Sequence, residues 1–481
     1  MPTFVILDRH DPKASPAPPA SGGRLEEAIS LWIRGLGVTL AIAVPLAVNP
    51  WARDAYSAIK ALLIWILTPA MLVGWAAAYL AKRSPRWRST RPELAAWLLV
   101  LAALLTTGVT VDPRLTLFGA SGRHEGLLTV LAYVALYFIA VHFFAGGEGM
   151  RLLTRCLGVG AVLASVHAVF QLGLGPQFFT EAYVYDWYAF PHLPRVFGTL
   201  GSPIALGAYL SVALPMSMAM AAATSGARRI IWSGALVMMA VALASTSTRA
   251  AWGGTAAGVV LLFLLLRRTP GARTVALSAV LAAVVSGGAL LVATGTPTPI
   301  VERAAAAADP GAGSFAQRIY IWRRVIDLVR ARPLSGWGLE TLGVVFPYDR
   351  ASLVEAFGVR PVIIDRAHND LLQVAVSMGL VGAVAYIALW GSVLFAAWRL
   401  CRTVSGPDRV LACGWLAALA AYLIQLQFSF SIVAVAPLVW LLAGAACGWE
   451  TAAGNGRDHG TGRYRMATGS RMEITSNPRS Q

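Results

Sequence analysis

Apolar residues in this chain come in long continuous runs, and polar residues gather in the short gaps between them. A run of about 20 apolar residues suits a helix crossing the ~30 Å hydrocarbon layer of a bilayer. Helices are the expected form, because backbone polar groups in lipid must pair within their own segment. The pattern predicts twelve spans: 28–49, 57–81, 93–110, 126–145, 152–175, 204–223, 229–246, 250–267, 273–295, 370–398, 410–428 and 431–448. The expected fold class is therefore all-α, a polytopic membrane protein with one long loop at 296–369. Residues 1–27 are Pro/Ala/Ser-rich, and 449–481 are Gly-rich and basic. Both read as disordered tails around a membrane domain at 28–448. Residues 1–27 lack the h-region and cleavage site of a signal peptide.

Composition agrees with the pattern. Only 13% of residues are charged, against roughly 25% in soluble domains. The formal net charge of +16 would point a soluble protein towards nucleic acid, but here position decides. One set of short loops holds Lys82, Arg83, Arg86, Arg88, Arg91, Arg151, Arg155, Arg228, Arg229, Arg267, Arg268, Arg273, Arg399, Arg402 and Arg409. The opposite short loops hold only Arg53, Arg114, Arg123, Arg195 and Arg249. The richer set is expected on the cytoplasmic side, with both termini inside. Topology thus absorbs most of the charge, and no nucleic-acid partner is expected.

The long loop then falls outside, yet it carries nine arginines. Long outer segments are largely exempt from the positive-inside rule, so these charges need another reason. Within the loop, Ser314 to Arg332 reads as an amphipathic helix ended by Pro333. Ile319, Trp322, Ile326 and Val329 share one face, and Arg318, Arg323, Arg324, Arg330 and Arg332 occupy much of the rest. The apolar face is expected to pack on the bundle through Trp322.

Four short segments bring ionisable residues to the outer ends of the spans. Arg249 lies in Thr246 to Trp252, a minimal turn between two spans; it could snorkel, but the hydroxyl residues beside it suit a phosphate. Arg123 lies in Gly119 to Gly126, where Glu125 could cap the next helix. Arg195 opens the segment to Pro203, in which Ser202 and Pro203 form a helix start. Arg366 and His368 lie in Asp365 to Asp370, where Asn369 reads as an N-cap and Asp370 complements the helix dipole. Arginine binds phosphate in a planar, bidentate fashion, and histidine is the natural base for a hydroxyl acceptor. One histidine among arginines at the lipid boundary fits a lipid diphosphate donor. No acidic pair of glycosidase type, DxD-like metal motif or phosphate-binding Gly loop stands out. Cys156, Cys413 and Cys447 fall in spans and Cys401 in an inner loop, so neither a disulfide framework nor a metal cluster is expected. Interior ionisable residues are few (Lys60, His142 and His167), and no internal repeat is evident, so a transporter or flippase is the weaker alternative.

The same residues carry a family resemblance. Gln317 to Trp322, followed by Arg332-Pro333-Leu334-Ser335-Gly336-Trp337-Gly338-Leu339-Glu340, resembles the outer loop of the O-antigen ligase/polymerase family. Ala367-His368-Asn369-Asp370-Leu371-Leu372-Gln373, with Gly379 to Gly382 after it, is similar to that family's His-Asn segment. Ser247 to Trp252 matches its Ser-Arg-Gly-Ala-Trp pattern, with Thr248 inserted and Ala250 where Gly is common. The resemblance covers about residues 95–445. It implies an integral-membrane glycosyltransferase, working without metal or cofactor, that moves a glycan from undecaprenyl diphosphate to an acceptor outside the cytoplasm. Carried onto this chain, the family's functional His and Arg fall on His368, Arg249, Arg318 and Arg123; His368 and Arg249 are the expected catalytic residues, and Arg123 and Arg318, joined by Arg366 and Arg195 of the same outer segments, the expected donor-diphosphate ligands. The acceptor is a lipid, glycan or protein in a ligase, or a second lipid-linked glycan in a polymerase; the sequence leaves that choice open.

Overall fold

The computed structural model describes residues 21–81, 87–174, 195–294, 313–349 and 363–458. The described residues are helical and contain no strand. In chain order the helices are α1 (Ser21–Leu46), α2 (Ser57–Leu80), α3 (Glu93–Gly108), α4 (Pro113–Phe118), α5 (Leu127–Phe143), α6 (Gly147–Leu174), α7 (Pro203–Ala223), α8 (Gly226–Ser245), α9 (Arg249–Leu266), α10 (Gly271–Thr294), α11 (Gly313–Ala331), α12 (Leu342–Val345), α13 (Asp370–Thr403), α14 (Gly406–Leu426) and α15 (Ala436–Asp458). Among them, α1, α2, α6, α7, α8, α9, α10, α13 and α14 are long and apolar enough to cross a membrane. Helices α3 and α5 are shorter and apolar.

The bundle is built around α7. Its residues are buried on every side from Ala205 to Ala221, as expected of a helix that is apolar all round. It packs against α8, α9 and α14, while α5 packs against α15 and α13 against α3. Peripheral helices instead expose apolar side chains: Leu277 and Val284 of α10 are 71% and 67% exposed, and Val384 of α13 is 65% exposed. Such faces suit lipid, which takes apolar side chains without cost.

Helix α13 is not the continuous rod its hydropathy predicts. Gly379 has φ 69° and ψ −175°, so a short helix from Asp370 meets a longer one from Leu380 at a break. The freed backbone groups are paired by the segment after α11: Leu380 N–H donates to the Pro333 carbonyl (2.7 Å). Trp337 and Gly338 N–H donate to the carbonyls of Val376 and Ser377, each at 3.0 Å. A Cβ at Gly379 would collide with the Leu334 carbonyl, and one at Gly336 with the Ser377 carbonyl. Both glycines therefore serve this close approach. The Gly336-Trp337-Gly338 motif is a weld between the long loop and the bundle.

Three boundaries differ from expectation. Helix α1 starts at Ser21, inside the predicted tail, and α15 runs to Asp458, past the predicted end of the membrane domain. The rest of both predicted tails, 1–20 and 459–481, lies outside the described residues, as do Lys82, Arg83, Arg86 and much of the long loop. Cys401 sits in the last turns of α13, not in a loop, and all four cysteines are free and buried. The amphipathic helix α11 forms, but its buried face is Ile321 and Val325, backed by Leu328 and Val329. Ile326 is 38% exposed. The chain offers two apolar stripes one residue apart, and the stripe opposite Leu342, Ile364 and Val376 wins. Trp322 does reach the bundle, donating its indole N–H to the Ala367 carbonyl (2.9 Å).

Candidate active site

The connectors 47–56, 109–126, 195–202, 246–248, 313–349 with 363–369, and 427–435 meet in one layer. Each is tied by specific bonds. Lys60 Nζ donates to the carbonyls of Ala47 (2.5 Å) and Thr199 (2.9 Å). The Arg195 Nε–H donates to the Thr246 carbonyl (3.2 Å), and Val196 N–H to that of Ser245 (3.2 Å). The Asn369 amide donates to the Gln427 carbonyl (3.1 Å). Four non-glycine residues among those described have left-handed backbone: His124, Ser247, Glu340 and His368, with φ between 50° and 63°. All four lie in this layer. Such conformations cost about 1–3 kcal/mol each and concentrate at functional sites.

One part of the layer is a compensated ion network. Arg366 is buried, with Nη1 on Glu340 Oε1 (2.7 Å) and Nη2 on Glu125 Oε2 (3.5 Å). Arg123 Nε donates to Glu340 Oε2 (2.8 Å), and its Nη1 pairs with Asp365. Glu125 also accepts from the Tyr133 and Ser431 hydroxyls, at 3.0 and 2.9 Å. Burial pushes the Glu125 carboxyl up to about 7, with Arg366 opposing. Burial also acts to raise Glu340, but Arg366 and Arg123 overcome it and hold that carboxyl below its ordinary range. Glu125 is thus not a helix cap: Gly126 holds that position. Asp370 accepts from the Tyr386 hydroxyl (2.5 Å) and from Ser431 N–H (2.8 Å). The expected caps at Ser202 and Asn369 do form, accepting from Ala205 and Leu372 N–H, each at 3.0 Å.

The neighbouring part gathers His368, Arg318 and Arg249. Arg249 opens α9 directly after the strained Ser247 turn. Arg318 projects from α11, and burial together with the nearby Arg249 charge lowers its pKa. No carboxylate among the described residues pairs with Arg318. His368 packs its ring edge-on against Phe430, with centroids 5.4 Å apart. Burial, then Arg318 and Arg366, lower its pKa to about 4, so the ring is neutral at physiological pH and keeps a lone pair for a proton. Phe430 joins the two parts, since the Arg366 guanidinium lies 5.2 Å from the same ring centre.

A cavity of about 330 Å³ adjoins Phe430 and is lined by Ser121, Arg123, Glu125, Ser202, Asp365 and Ser431 among others. Its hydroxyls, carboxylates and aromatic wall suit a sugar better than a polyanion. All six arginine and histidine positions singled out in the sequence reach this layer. The sequence reading did not anticipate Glu340, nor the turn at Phe430 and Ser431. Glu340 could have been suspected as an isolated acid in an arginine-rich segment; the apolar turn between the last two spans carried no such signal.

Residues 234–387 match the family described as O-antigen ligase. That stretch contains Arg249, Arg318, Glu340, Arg366 and His368. No curated protein matches the chain in sequence.

Proposed function

We propose that this protein transfers a glycan from undecaprenyl diphosphate to an acceptor outside the cytoplasm, a reading that the match of residues 234–387 to the O-antigen ligase family supports. The observation that carries this reading is the gathering of His368, packed against Phe430, with Arg318 beside it and Arg249 beside Arg318. Arg249 and Arg318 hold the donor diphosphate and stabilise the charge it acquires on leaving. Arg195, fixed against the Thr246 turn, completes that face. Arg123 and Arg366, whose forks are engaged by carboxylates, act on the donor through the field and frame they provide. The acceptor hydroxyl attacks the anomeric carbon and passes its proton to His368. The bond to the diphosphate breaks, and undecaprenyl diphosphate departs with the electron pair. One in-line displacement inverts the anomeric configuration, and no metal or cofactor takes part in the scheme.

Orientation belongs to the same proposal. Twelve crossings would comprise α1, α2, α3, α5, α6, α7, α8, α9, α10, α13, α14 and α15. Every connector in the site layer then follows an odd-numbered crossing, which supports that count. The arginine distribution supports an orientation with this layer outside the inner membrane of a bacterium and both termini in the cytoplasm.

Ligase and polymerase differ only in the acceptor. A deletion strain separates them: polymerised but unattached glycan on its lipid carrier marks a ligase, and accumulated single repeats mark a polymerase. Normal surface glycan with neither intermediate would refute both.

A further inference from the structure

The opposite end of the bundle carries a second cationic cavity, unrelated to the chemistry above. It measures about 410 Å³ and lies between α1 and the start of α6. Arg34, Arg151 and Arg155 line it together with Glu148, and Phe144 and Leu152 form an apolar wall. Arg34 is the unusual member. It interrupts an apolar span, where a charge costs roughly 2.5–3.5 kcal/mol at the helix centre, so a topological signal does not explain it. Its Nε–H donates to the Phe143 carbonyl (2.7 Å), which fixes the guanidinium and leaves its outer edge towards the cavity. Arg151 pairs with Asp408. Neither Arg34 nor Arg155 has a carboxylate partner among the described residues.

The depth of this cavity is marked by its neighbours. Trp32, two residues from Arg34 and so only about 3 Å away along the helix axis, is 45% exposed beside Leu31 at 61%. An exposed tryptophan next to an arginine is the signature of the headgroup level. Helix α6 also begins at Gly147, and Glu148, Gly149 and Leu152 of its first turns line the same cavity, so the cavity adjoins the helix end that favours an anion. A fixed arginine, a helix start and an apolar wall open to lipid suit one ligand chemistry, a phosphodiester with acyl chains. We propose that this cavity binds the phosphate of an anionic phospholipid in the leaflet opposite the active site. The bound lipid bridges α1 to α6, and through Arg151 and Asp408 to α14. The inference uses the orientation proposed above but not the transfer chemistry.

The test is native mass spectrometry of the delipidated full-length protein, titrated separately with phosphatidylglycerol, phosphatidylcholine and inorganic phosphate. Wild type should retain phosphatidylglycerol selectively. Arg34→Gln with Arg155→Gln should weaken that retention by at least about tenfold, the loss expected from one or two charge-assisted bonds, and leave phosphatidylcholine unchanged. Arg155→Gln alone alters an exposed position, so it should fold normally and show part of the loss. Equal retention by wild type and Arg155→Gln would overturn the site. Inorganic phosphate binding as tightly as the lipid would overturn the lipid as its source. His368→Ala should retain phosphatidylglycerol like wild type, so failure of the transfer reading and failure of this one are distinct.

Discussion

The two parts of the outer layer use the same residue type in opposite ways. Around Arg366, every cation faces acid: Glu125 and Glu340 fill its fork, and Glu340 and Asp365 engage Arg123. Around His368, Arg318 faces another cation, Arg249, and the field of Arg318 and Arg366 discourages protonation of the imidazole. Paired buried charges hold a structure together once formed, because removing one partner strands the other. Arg318, by contrast, has no carboxylate partner among the described residues, so an anion can engage its guanidinium without displacing an acid. The first arrangement is a frame, and the second is the place where we propose that the donor diphosphate binds.

Removing the cations of the second part should therefore act on the ligand. Arg249→Ala with Arg318→Ala should weaken donor binding by at least about a hundredfold, since each charge-assisted bond is worth roughly 1.5–3 kcal/mol. Thermal stability should hardly fall. A stability loss without an affinity loss would erase the contrast between the two parts. Glu340→Gln should do the reverse. It leaves Arg366 and Arg123 with less compensation, at a cost on the order of 3 kcal/mol in unfolding free energy, read by thermal denaturation in detergent or nanodiscs. Donor affinity of the folded fraction should be nearly unchanged.

Finer changes sharpen the distinction. Arg249→Lys keeps the charge and loses the planar fork, so about tenfold of donor affinity should go. Wild-type behaviour there would mean that Arg249 only snorkels. The pH profile should be the smallest effect. Burial, Arg318 and Arg366 lower the His368 pKa to about 4, and only the neutral ring accepts a proton. The acid limb of kcat/KM assigned to His368 should therefore lie below the ordinary histidine value of about 6.5, with no loss between pH 8 and 6. The bound diphosphate favours imidazolium, so the limb of kcat should sit at higher pH than that of kcat/KM. Coincident limbs near 6.5 would show a histidine outside the field of Arg318 and Arg366.

Much of this architecture could be read from the chain because its causes are local. Continuous apolar runs place the helices, and Ser202-Pro203 and Asn369 mark helix starts by side-chain bonds three residues away. Other features escaped because they depend on distant partners. The break at Gly379 exists because Pro333, Trp337 and Gly338 supply the missing bonds. Choice of the buried stripe on α11 depends on Leu342 and Ile364, which periodicity cannot weigh. Glu125 is a helix cap by sequence position, but Ser431 and Arg366, 306 and 241 residues away, claim its carboxylate. Within the candidate site, charged residues near span ends were legible, and the apolar Phe430 that joins its two parts was not.

In the proposed reaction His368 takes the acceptor proton while the arginines hold the donor. Its most direct test is transfer in proteoliposomes from a defined undecaprenyl-diphosphate glycan, comparing wild type with His368→Ala and measuring donor binding in the same preparations. Wild type should form the new glycosidic bond and release undecaprenyl diphosphate. His368→Ala should bind the donor with unchanged affinity and transfer at least about a hundredfold more slowly. Transfer by His368→Ala at the wild-type rate would contradict the claim.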